Sequence, residues 1–147
     1  MTDLLNGSPI NLAKNTNLRS ITLYCGIFYD WIDDEPFPEY QPSVFWALSL
    51  LSQITSPHLS EIKLRMEVAG PASLSRMDWT RLDEILSKPL WRNNLKGVVV
   101  DIIQPGYRLL GAGDLERVWL SLPTISTVPG VSLAVESSKI SELDGYV

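Results

Sequence analysis

The chain predicts an α/β fold, a short right-handed solenoid with a curved parallel sheet on one side and helices on the other. Three observations carry this expectation. The stretches "NTNLRSITLYC", "SPHLSEIKLRM" and "RNNLKGVVVDI" each follow a polar turn with one apolar residue, two others and an alternating apolar pair. Amphipathic helical patterns separate the copies. In the second copy Glu61, Lys63 and Arg65 alternate with Ile62, Leu64 and Met66, so one face of the sheet is wet and the helices belong on the other.

Taken in order, the strand phrases are Leu18, Ile21 and Leu23; Leu59, Ile62 and Leu64; Leu95, Val98 and Val100. A fourth, Val128, Val131 and Leu133, lies in "VPGVSLAVE". Their spacings of 41, 36 and 33 residues each hold a strand, a helix and two connections. Period-2 alternation marks each phrase as a strand. Parallel strands with helical crossovers follow from the strand–helix repetition.

The first helical pattern, "SVFWALSLLSQI", places Val44, Ala47, Leu48 and Leu51 on one face, with Ser43 as cap. In the second, "DWTRLDEILSKP", Trp79, Leu82, Ile85 and Leu86 form the stripe, Asp78 or Thr80 caps it, and Pro89 stops it. The third, "DLERVWLSLP", has Asp114 as cap, Leu115, Val118, Trp119 and Leu122 as stripe, and Pro123 as stop.

Length and composition narrow the function classes. A chain of 147 residues fits one domain, 1–147, with its own core. A net charge of −5 argues against nucleic acid as partner. No apolar run reaches the roughly 18 residues of a membrane span. The segment "MTDLLNGSPINLAKN" lacks the basic and apolar regions of a secretory signal. With Cys25 the sole cysteine, no internal disulfide forms, and an intracellular compartment, cytoplasmic or nuclear, is expected.

Catalytic and metal signatures fail in turn. His58, the one histidine, sits in a turn with no nucleophile motif beside it. One histidine and one cysteine give no metal site of the usual ligand type. "GAGD" (Gly111 to Asp114) lacks the lysine and third glycine of a phosphate loop and reads as a turn with a helix cap. No cofactor and no catalytic residue is therefore expected. The acidic, aromatic loop 27–42 is the longest irregular stretch, and long loops are commonly functional or disordered. Its carboxylates lack the spacing of a calcium loop. Trp31 and Tyr40 are its candidate protein-binding anchors, since hot spots favour these residue types.

The wet face supplies the other candidates. Aligning the phrases puts Tyr24, Arg65, Asp101 and Ala134 in one row across the strands, and Thr22, Lys63, Val99 and Ser132 in the next. A third row reads Ser20, Glu61, Gly97 and Gly130. Arg65 then lies between a ring and a carboxylate, in reach of both. Tyr24, Lys63, Arg65, Val99 and Asp101 are the candidate binding residues, with Arg65 taken as a surface group whose loss leaves the fold intact. Val99 and Ile103 make the third strand apolar on both faces, and an exposed apolar patch usually has a partner.

The L-x-x-I-x-L phrases resemble leucine-rich repeats. "SPHLSEIKL" followed by "MDWTRLDEILSKPLWRNNLKGVVVDI" is similar to the C-terminal region of the F-box/leucine-rich-repeat-like proteins of mushroom-forming fungi, over roughly residues 15 to 136. The resemblance implies a leucine-rich-repeat-like solenoid of about three and a half units. It also implies the role of a receptor that holds a target protein for ubiquitin ligation. Such proteins carry an N-terminal F-box that docks the ligase adaptor. "MTDLLNGSPINLAKNTN" contains no such segment, so target binding without adaptor docking is expected. Two alternatives stand beside recognition: a small α/β hydrolase using the carboxylates of loop 27–42, and a truncated gene remnant with no independent role. Uncapped ends of the sheet would also permit self-association.

Overall fold

The computed structural model describes residues 12–27, 43–68, 74, 77–104 and 110–139. Strands β1 (Ser20–Ile27), β2 (Glu61–Val68), β3 (Gly97–Gln104) and β4 (Ser132–Lys139) form a four-stranded parallel sheet in sequential order. Helices α1 (Ser43–Gln53), α2 (Trp79–Leu86) and α3 (Ala112–Leu120) lie between successive strands. Short 3-10 turns at Leu12–Lys14, Pro89–Trp91 and Ile125–Thr127 precede β1, β3 and β4. The chain is thus α/β with parallel strands, as the repeated phrase predicts. Loop 27–42 beyond Ile27, with Trp31 and Tyr40, lies outside the described residues.

Alternation decides which side chains enter the core. In β2, Ile62, Leu64, Met66 and Val68 are all at most 1% exposed, while Glu61, Lys63, Arg65 and Glu67 point the other way. Burying four such side chains contributes about 1.5–3 kcal/mol each. They meet Leu48 and Leu51 of α1, Leu82 and Leu86 of α2, and Val118 of α3 in one core. Helix α1 packs on β1 and against α2, and α3 packs on β4. The stripes of α1 and α2 are buried as expected, apart from Trp79, which is half-buried, and Val44, whose side chain is outside the description. In α3 the stripe is narrower: Val118 is buried, but Trp119 is 41% exposed.

Cap positions follow the sequence at one helix and depart from it at another. Asp78 caps α2 by accepting from the Arg81 N–H at 3.0 Å. Helix α3 starts at Ala112, earlier than expected, with Gly111 as its N-cap. Asp114 is instead the third helical residue, and its carboxylate accepts from the Gly111 N–H at 2.9 Å. An acid at that position satisfies a free donor at the helix start as well as a cap does.

Neighbouring units are pinned by polar contacts that repeat with the unit. The N–H groups of Glu61, Gly97 and Ser132 donate to the carbonyls of Arg19, Ser60 and Lys96, at 3.2, 3.2 and 2.9 Å. Ser56, fully buried, donates through Oγ to the Leu18 and Thr16 carbonyls at 2.8 and 3.0 Å. Asn94 donates to the Pro57 carbonyl at 2.7 Å, and Lys88 to the Ser52 carbonyl at 2.7 Å at the end of α1. Burial lowers the pKa of that lysine, whose ammonium also lies over the Trp91 ring. Asp83, only 5% exposed, accepts from the N–H groups of Thr124 and Ile125 at 3.1 and 2.9 Å and so caps the turn of the next unit.

The fourth strand corrects the expected register. Each β1 residue pairs with the one 41 further on and each β2 residue with the one 36 further on, as predicted. From β3 to β4 the step is 35, not 33: Gly97 pairs with Ser132 and Val98 with Leu133. Val128 and Val131 belong to a turn, in which the Val131 N–H donates to the Val128 carbonyl at 3.2 Å and Gly130 takes φ 84°. That positive φ is a conformation glycine adopts without steric cost. The apolar pair in the strand is Leu133 and Val135. A two-residue slip keeps every side chain on its face, so alternation alone does not detect it.

Candidate functional site

The face of the sheet turned away from the core carries a polar row that spans all four strands. Register places Tyr24, Arg65 and Asp101 side by side on β1, β2 and β3, as the phrase alignment predicts. Lys63 and Val99 are paired neighbours in the adjacent row, next to Thr22. The fourth members of these rows are Glu136 and Ala134, replacing the expected Ala134 and Ser132.

Arg65 is the hub. Its Nε donates to Asp101 Oδ2 at 3.2 Å, its Nη1 donates to the Tyr24 hydroxyl at 2.5 Å, and its guanidinium lies 5.0 Å from the Tyr24 ring centroid. Asp101 Oδ1 accepts from Ser138 Oγ on β4 at 2.9 Å. A guanidinium with its donors in a fixed fork holds this arrangement better than a flexible ammonium would. Both oxygens of Asp101 are satisfied, as a buried carboxylate requires. The contact from Ser138 was not legible, because Ser138 pairs with Ile103 and reaches Asp101 diagonally from outside the row.

The face is not wet throughout, which corrects the expectation for Arg65, Asp101 and Ile103. The side chains of Arg65 and Asp101 are 16% and 3% exposed, and Ile103 is 3% exposed. The pair therefore belongs to the structure as much as to the surface. Tyr24 is 48% exposed, and Lys63 and Val99 are partly exposed. What the row offers outward is the Tyr24 ring and hydroxyl proton, the second guanidinium nitrogen, and beside them the Lys63 ammonium and the Val99 side chain.

Among the described residues no group of three or more histidine, cysteine, aspartate or glutamate side chains could hold a metal ion. His58 is exposed in its turn, where its backbone N–H donates to Ser56 Oγ at 3.3 Å. Cys25 is buried, and desolvation pushes its thiol up to about 12, far from a reactive thiolate. A cavity lined by Leu86, Lys88, Arg92, Ile125 and Val131 has a volume of about 10 Å³, room for a single water. No carboxylate, histidine or thiol lines it. Among the described residues, no helix is long and apolar enough to cross a membrane.

Comparison with known protein families, with curated proteins and with solved structures finds no match to this chain. The reading of the site therefore rests on its own geometry.

Proposed function

We propose that the chain is a non-catalytic protein-recognition module whose binding surface is the outer face of the sheet, centred on Tyr24, Lys63, Arg65 and Val99. One observation carries the reading. An exposed aromatic ring is held by a mostly buried arginine whose Nε is already fixed by Asp101, so the surface is ordered before any partner arrives. Preorganisation of this kind lowers the entropic cost of association. Tyrosine and arginine are also the side chains that most often dominate binding energy.

The architecture supports the same reading. Four parallel strands in sequential order fit the solenoid proposal, in which right-handed crossovers keep every connecting helix on one side of the sheet. Such an arrangement leaves the strand face for a partner. Ligand crevices of open α/β enzymes form where strand order reverses. The described strands contain no reversal. A receptor that holds a target protein, as in F-box/leucine-rich-repeat-like proteins, is the specific form of this proposal.

The test is selection from a displayed peptide library on the folded chain, repeated on Lys63→Glu and Tyr24→Ala. Families of peptides that bind the wild type and fail on both variants support the outer face. Peptides retained equally by both variants would place recognition elsewhere.

A further inference from the structure

We infer that the two ends of the sheet are complementary to one another, so that a second copy of this chain adds its β1 to the outer edge of β4. This goes beyond the recognition reading and does not depend on it. Among the described residues β1 pairs only with β2, and β4 only with β3. Among the described residues, the outer edge of β4 and that of β1 over residues 20–24 present the backbone groups that the internal strands use for pairing.

The repeat itself gives the register. Arg19, Ser60 and Lys96 carbonyls each receive the first N–H of the next strand. The next carbonyl in that series is that of Val131, and the N–H that would reach it is that of Ser20 in the second copy. Continuing the ladder places Leu133 opposite Ile21, Val135 opposite Leu23 and Glu136 opposite Tyr24. Ile21, Leu133 and Val135 are apolar core-side residues at the two ends, each left partly exposed. Pairing the ends would cover them as β2 and β3 cover one another.

Charge and hydrogen bonding point the same way. Residues 12–27 carry two bases, Lys14 and Arg19, and no acid, whereas residues 110–139 carry three acids and two bases. Tyr24 accepts from Arg65 through its oxygen and keeps its own proton to donate. Glu136 is exposed on the same face, and among the described residues its side chain has no hydrogen-bond or salt-bridge partner. Placed opposite Tyr24 of the second copy, its carboxylate would accept that proton and extend the polar row from one molecule into the next. Such a contact joins unlike patches, so copies add head to tail and grow unless rotation closes a ring.

Sedimentation of the full chain over rising concentration tests this. The wild type is expected to show a sedimentation coefficient that keeps climbing past that of a dimer. Tyr24→Glu sets a carboxylate opposite Glu136 and is expected to lose the rise, and adding Glu136→Arg to it restores the rise. Tyr24→Phe, which keeps the ring and removes only the donated proton, is expected to weaken association with an unchanged circular dichroism spectrum. A wild type that stays monomeric, a plateau at the dimer untouched by Tyr24→Glu, or a loss that Glu136→Arg fails to restore would each overturn the inference.

Discussion

At the scale of single residues, the Arg65–Asp101 pair behaves differently from the surface group its sequence position predicts. Asp101 is nearly inaccessible, and its Oδ2 is bonded to Arg65. Removing one partner of a buried pair costs about 3–5 kcal/mol, because the other is left charged and unpaired. Arg65→Ala is therefore expected to destabilise by that amount in urea unfolding, and Arg65→Met combined with Asp101→Leu to recover most of it. Equal stability of Arg65→Ala and wild type would show the pair to be solvated. The identities in the row were legible because charged residues on an alternating strand can share only one face. The burial of Asp101 was not, since a carboxylate reads as exposed until its partners from β2 and β4 are known.

Cys25 gives a prediction with a pH axis. Its folded-state value of about 12 lies above the unattached thiol's 9.0. A raised folded value means that the stability contributed by the neutral thiol is complete below pH 9 and is lost as pH rises towards 12. Urea midpoints of the wild type should fall more steeply above pH 9 than those of Cys25→Ala. Parallel curves for the two proteins would contradict the burial of the thiol.

At the scale of elements, neighbouring positions on β2 separate core from surface. Leu64→Ala is expected to cost about 2–5 kcal/mol as a core truncation. Lys63→Ala should stay within about 0.5 kcal/mol, as surface changes usually do. Chemical denaturation of the two variants measures both, and similar losses would mean that the faces are misassigned. Asp83 tests the joint between units. Asp83→Ala leaves the Thr124 and Ile125 N–H groups without their acceptor and should cost about 1–3 kcal/mol. Period-2 patterns were enough to place β1, β2 and β3 in register, because each phrase begins in the same way after a polar turn. They failed at β4 because Val128 and Val131 imitate the phrase from within the Pro129–Gly130 turn. The role of Asp83 as a joint was not legible, because it sits among stripe residues of α2 and its partners lie 41 and 42 residues further on.

At the scale of the whole molecule, repetition does two things. It sets parallel strands next to one another over one core, and it lays equivalent outer positions side by side. A row of tyrosine, arginine and aspartate arises from three copies of one phrase, each with a different residue at the same place.

The helix side offers a competing surface, since Trp119 and Leu120 of α3 are 41% and 61% exposed. Amide chemical-shift mapping with a peptide selected on the wild-type chain distinguishes the two sides in one experiment. If the outer face is the recognition surface, the shifts fall on Thr22, Tyr24, Lys63, Arg65 and Val99 and leave α3 unchanged. Shifts confined to Trp119, Leu120 and their neighbours, with the rows of the sheet unmoved, would contradict it.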